Sequence, residues 1–151
     1  MTVFFRYRAP PFSQVLRPAR QPCRLALPLF SSKIMAGFAS PAADHIEASL
    51  DLNELLVRRP AATFFVRTQG DSMLGAGIHP DDILVVDRSL EAVHGKIIIC
   101  ALNGELTVKR LNHMPGRLAL TAENPAYADI VIEPDMEVVV WGVVTSVIHF
   151  V

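Results

Sequence analysis

From Ala61 to the C-terminus the chain repeats one pattern: short runs rich in Val, Ile, Phe and Thr, cut by clusters of Gly, Pro, Asn and Asp. The runs are Thr63–Thr68, Ile83–Asp87, Lys96–Leu102, Glu105–Leu111, Arg117–Ala122, Ile130–Ile132 and Glu137–Phe150. β-branched and aromatic side chains fit a pleated, half-buried surface. The intervening Pro80-Asp81-Asp82, His94-Gly95, Asn103-Gly104, Pro115-Gly116 and Pro134-Asp135 are turn formers. Strands at such short spacing predict a mostly β body of antiparallel strands. Asn103-Gly104 is the strongest hairpin signal among them. The last run, Val138 to Val144, is apolar on both faces and is expected to cross the sheet centre or to pair with another subunit.

Upstream the pattern is different. Residues 1–40 hold Pro10, Pro11, Pro18, Pro22 and Pro28 and sustain no helical or strand period, so they read as an extended N-terminal arm. Ser40-Pro41 is expected to open a helix, with serine as cap and proline in the first turn. Asp51-Leu52-Asn53-Glu54 reads as a second cap, followed by a short helix with Leu52, Leu55 and Leu56 on one face. The 151 residues suit one domain with a tail.

A net charge of −1 conceals an asymmetry. Residues 1–43 carry Arg6, Arg8, Arg17, Arg20, Arg24 and Lys33 with no acid, which leaves 8 basic against 15 acidic residues in the rest. Such a basic arm can dock on its own acidic body or on an acidic partner, or remain a solvated tail. Cys23 and Cys100 form neither a disulfide framework nor a metal motif. Cys100, at the end of Ile97-Ile98-Ile99, reads as a buried inert thiol, which fits a reducing cytoplasm. No apolar run approaches the roughly 20 residues that span a bilayer. Leu25 to Phe30 is too short, and too broken by Pro28, for a signal-peptide core. No membrane association is expected.

The chemistry-bearing residues are few. Ser72 lies in Gly70-Asp71-Ser72-Met73, where an apolar strand gives way to a turn. Amides around it, with Gly70 and Met73 as candidates, are placed to form part of an oxyanion hole. A serine hydrogen-bonded in an ordinary turn is the alternative. A nucleophilic serine needs a base, and only Lys96 and Lys109 follow it. Lys96 opens a strand, where lysines are usually solvated. Lys109 is mid-strand, where desolvation would lower its pKa and free the amine to accept a proton. Strand alternation also puts it with Glu105 and Thr107 on the face normally wet, so a solvated lysine competes with the base. Arg110 points the other way and stays charged. His45, His79, His94, His113 and His149 are scattered, with no triad and no metal-ligand spacing. No metal and no cofactor are expected.

In order and spacing these pieces resemble the LexA/UmuD self-cleaving peptidases, with UmuD the nearer. The resemblance runs through Gly70-Asp71-Ser72-Met73, Gly77-Ile78, Asp81 to Asp87, His94-Gly95 and Gly104 to Leu111. Upstream it includes Gly37 to Asp44 and Leu50 to Leu56. Downstream it includes Asn124-Pro125-Ala126-Tyr127 and Trp141-Gly142-Val143-Val144. Residues 25–151 are covered.

The resemblance implies a LexA/signal-peptidase-like β fold, with Ser72 as nucleophile and Lys109 as general base. It implies a scissile bond before a glycine, which here falls at Ala36–Gly37. Residues 1–36 would be removed, leaving 37–151 as the peptidase and dimerisation domain. Read without the resemblance, Ile34 to Phe38 is a short extended linker. UmuD proteins of enteric bacteria carry cysteine before that glycine, whereas this chain has Ala36, as LexA-type repressors do. Residues 1–20 match nothing in the family pattern.

The implied partners are a second copy of the chain, a UmuC-like Y-family polymerase and a RecA filament on single-stranded DNA. Three other readings compete. A LexA-like repressor would need a DNA-reading domain before the arm, and residues 1–40 are too short and proline-rich to supply one, so no direct sequence-specific DNA binding is expected. A signal-peptidase-like enzyme would need an anchor. A non-catalytic binding module would show no self-cleavage at high pH.

Overall fold

The computed structural model describes residues 15, 16, 18, 21, 23–30 and 46–151. The chain divides into two compact units, Met1–Pro18 with Arg59–Val151, and Ala19–Arg58.

The described strands of the larger unit are β1 (Val15–Leu16), β4 (Thr63–Arg67), β5 (Ile83–Asp87), β6 (Ile97–Leu102), β7 (Glu105–Met114), β8 (Arg117–Thr121), β9 (Ile130–Val131) and β10 (Val138–Ile148). They form an eight-stranded sheet in the order β1-β4-β5-β10-β6-β7-β8-β9. Every pairing is antiparallel. The expected runs are therefore strands, with ends moved by a residue or two. The exception is β7, which continues three residues past Leu111 to pair with β8. Asn103 and Gly104, both at positive φ, turn the β6–β7 hairpin.

The apolar C-terminal run became β10, hydrogen-bonded between β5 and β6 in mid-sheet. A strand covered on both faces reads as a continuous apolar run rather than an alternating one. Register shifts at Val140/Gly142 and Val144/Ser146 mark bulges in it. Bulges bend a strand and sharpen its twist. Alternation then sorts side chains into two cores. Ile98, Cys100, Leu111, Leu120 and Val140 belong to one, and Phe64, Met73, Leu84, Ile99 and Trp141 to the other.

In the smaller unit β2 (Ala26–Phe30) pairs antiparallel with β3 (Ile46–Asp51). Part of the expected arm is thus strand. Pro28 interrupts the alternation that would announce it, and a two-stranded ribbon tolerates the missing amide because each strand has a free edge. The helix start expected at Ser40-Pro41 lies outside the described residues. A continuation past residue 45 is excluded, because Ile46–Asp51 is strand. The second cap is present: Asp51 accepts from the Asn53 amide at 2.8 Å and from the Leu25 amide at 2.9 Å, opening helix α1 (Leu52–Leu56). Burial alone would raise the Asp51 pKa, but these amide bonds, Leu25 first, hold its carboxyl below the usual range. On the leucine face, Leu52 and Leu55 are exposed. Five residues are too few to sustain a packed stripe.

Candidate active site

Ser72 hangs from the turn that follows β4. Gly70, at φ 84°, makes the sharp change of direction that a side chain would resist. Met73 is 2 % exposed and plugs into the core beside Phe64 and Leu84. A short 3-10 turn, Leu74–Ala76, follows. The serine is therefore held by the buried neighbour on one side and the turn on the other. A second loop latches onto it. Asn124 donates from Nδ2 to the Asp71 carbonyl at 3.0 Å, the Tyr127 hydroxyl bonds the Asp71 carboxylate, and the Gly75 amide donates to the Glu123 carbonyl at 2.6 Å. Among the described residues, the amides of Ser72 and Met73 donate to no protein acceptor.

Lys109 sits on β7 opposite Ile98 of β6. It is 8 % exposed and makes no ion pair among the described residues. Its Nζ lies 2.9 Å from Ser72 Oγ, 3.0 Å from Thr107 Oγ1 and 3.0 Å from the Val108 carbonyl oxygen. Loss of water around the ammonium lowers its pKa from 10.5, while nearby Cys100 acts weakly the other way. The Cys100 thiol is pushed up to about 12 by burial, the state of an unreactive thiol. Arg110 faces away, pairing with Glu123 and donating to the Gly95 carbonyl at 2.7 Å. Lys96 is exposed, just before β6, and makes no hydrogen bond to Ser72.

The face that alternation marks as wet is thus closed over at Lys109. In sheet order β5, β10 and β6 separate β4 from β7. Four strand spacings of a flat sheet would hold the serine turn and the lysine strand about 19 Å apart. The curled sheet folds one over the other. A cleft of about 660 Å³ opens there, lined by Val66, Thr68 and Gln69, by Leu106 and Val108 of β7, and by Ser72. Ala36 and Gly37 lie outside the described residues.

Two groups were missed in the sequence. Asn124 and Tyr127 belong to the family resemblance, but an Asn-Pro turn far from Ser72 gives no local sign of its target. The second is a pair of histidines. His79 and His149, 70 residues apart, flank buried Asp82: His149 Nδ1 is 2.6 Å and His79 Nδ1 3.6 Å from its carboxylate oxygens. The absence of a short histidine spacing concealed them. Burial would raise the Asp82 pKa, but the His79 amide and the His149 ring hold it below the usual carboxylate range. Among the described residues no helix is long and apolar enough to cross a membrane.

Comparison with known proteins agrees with the geometry in kind. The Peptidase S24-like family matches residues 28–145. Protein SamA of Salmonella typhimurium is 47% identical over 135 residues, covering 89% of this chain and 94% of that one. Protein MucA of Escherichia coli is 46% identical over 121 residues, covering 80% and 82%. The LexA repressor of Cupriavidus taiwanensis is 36% identical over 127 residues, covering 83% of this chain and 57% of the repressor. Similarity over nearly their whole length sets the chain beside SamA and MucA rather than the repressor: it belongs to the Peptidase S24-like family, as a UmuD-like member.

Proposed function

We propose that this chain is a self-cleaving serine endopeptidase of the SOS response, with Ser72 as nucleophile and Lys109 as general base. The observation that carries the reading is the 2.9 Å approach of a buried, unpaired lysine amine to the serine hydroxyl. A neutral amine has two hydrogens and one lone pair. Its hydrogens go to Thr107 Oγ1 and the Val108 carbonyl, which leaves the lone pair facing the Ser72 O–H.

The substrate bond is Ala36–Gly37. Lys109 takes the hydroxyl proton as Ser72 Oγ attacks the Ala36 carbonyl carbon. The oxyanion is received by the Ser72 and Met73 amides, which have no other acceptor among the described residues. On collapse of the tetrahedral intermediate the C–N bond breaks, and Lys109 returns its proton to the Gly37 amine. Water, deprotonated by Lys109, then hydrolyses the acyl-serine. Small residues at both sides of the bond let an extended strand approach closely. Tethering the arm to its own body supplies a high effective concentration, so a weak peptidase suffices for one cut.

A RecA filament on single-stranded DNA favours the cleavable pose, a population shift rather than a gift of chemical groups. The product, residues 37–151, dimerises and serves a UmuC-like Y-family polymerase in error-prone synthesis past DNA damage, in the cytoplasm. The test is mass spectrometry of the full chain after incubation with RecA, nucleotide and single-stranded DNA. A fragment beginning at Gly37 is expected, absent in Ser72→Ala and Lys109→Ala and blocked by Gly37→Glu. A fragment of the same size from Ser72→Ala would overturn the nucleophile, and one from Gly37→Glu would overturn the bond.

A further inference from the structure

We propose that His79, Asp82 and His149 form a binding site for a divalent transition-metal ion of the zinc type. The site is independent of the peptidase reading. A ligand atom from each of the three side chains lies within 4.8 Å of those of the other two. Ligands around a tetrahedral ion at zinc–nitrogen and zinc–oxygen distances stand about 3.4 Å apart. The observed separations, 2.6 Å from His149 to Asp82 and 3.6 Å from His79 to Asp82, bracket that value.

The parts differ in freedom in the way a site requires. Asp82 is buried and fixed: Oδ2 accepts from the His79 amide at 2.7 Å, and the Asp82 carbonyl accepts from the Thr68 amide at 2.9 Å. The two imidazoles are about half exposed, 46% and 44%, so each ring can turn without repacking the core. Their centroids are 4.7 Å apart with planes tilted at 43°. Among the described residues the His79 ring makes no hydrogen bond, so its nitrogens remain available. Two imidazoles with one carboxylate select zinc, cobalt, nickel or copper over magnesium and calcium, which prefer all-oxygen sets. Water would complete the coordination.

The position gives the ion a consequence. His149 lies just past the end of β10, and His79 and Asp82 bound the turn that leads into β5. Thr68 also bonds the His79 carbonyl, and Thr68, Pro80 and Asp81 line the cleft beside Ser72. A bound ion would strap the C-terminal end of the chain to one wall of that cleft.

The experiment titrates the full chain with Zn²⁺ by calorimetry and with Co²⁺ as an absorbing substitute, on wild type, His79→Gln, His149→Gln and Cys23→Ser. The expected result is one equivalent bound, a Co²⁺ ligand-field band without a thiolate band, and a Zn²⁺-dependent rise in melting temperature. Each histidine change should weaken binding at least about tenfold and abolish the rise. Cys23→Ser should leave both unchanged. His79→Gln keeps the backbone amide that bonds Asp82, so its fold is not at stake. Absence of saturable binding below millimolar metal would overturn the proposal. So would a site that persists in His79→Gln, or one lost with Cys23→Ser.

Discussion

At the scale of single residues, the property that matters most is the protonation of Lys109. Its folded pKa is lowered by desolvation from 10.5. If it is the base, self-cleavage speeds up as pH rises, in proportion to the neutral amine, and levels off below the ordinary lysine value. A rate measured from neutral pH to pH 10 checks this, and a flat profile removes the role. Lys109→Arg should be inactive throughout, because guanidinium keeps its charge. The same shift acts on stability. Between the folded pKa and 10.5 the unfolded chain binds more protons, so stability rises with pH across that window. Urea midpoints should therefore show wild type gaining on Lys109→Met as pH climbs. Asn124 belongs to this scale as a positioning residue, since its side chain bonds the Asp71 carbonyl and the Ala126 amide and not Ser72 itself. Asn124→Ala should lower the cleavage rate by about 10–100-fold through displacement of Ser72. Its alkaline pH profile should keep the wild-type midpoint, which a change in the base itself would move.

At the scale of elements, the central strand is the constraint. A Cβ built on Gly142 of β10 would stand 2.7 Å from Val86 Cγ1 and 3.0 Å from the Asp87 carbonyl oxygen. Both neighbours lie on β5, and the backbone oxygen cannot withdraw. Gly142→Ala should destabilise by about 1–3 kcal/mol, read from the urea midpoint at unchanged slope. Strand runs were legible because residue type and turn spacing are local properties. The β2–β3 ribbon was not, since Pro28 hides its alternation and its partner lies twenty residues on. The α1 cap was legible in Asp51-Leu52-Asn53-Glu54, whereas the exposure of its leucines was not a local matter.

At the scale of the whole molecule, both cores share one sheet, so the site depends on packing well away from it. Leu111 is fully buried in the core that includes Leu120 and Val140, two residues beyond Lys109 on β7. Leu111→Ala should cost about 2–5 kcal/mol by denaturant melt, and should lower cleavage only as far as the folded fraction falls. What the sequence by itself determined was an antiparallel β chain, its turns, and the short roll of residues able to supply a nucleophile and a base. It left open whether Lys109 was wet or dry, because alternation assigns faces but not which face is covered. Only the tertiary structure decided that. Curling brings strands four places apart in the sheet over one another, which sets Nζ beside Ser72 Oγ, while the pairing of Ile148 with Ile83 between neighbouring β10 and β5 puts His149 beside Asp82. Such closures depend on accumulated twist and on bulges in β10. No single window of residues records them.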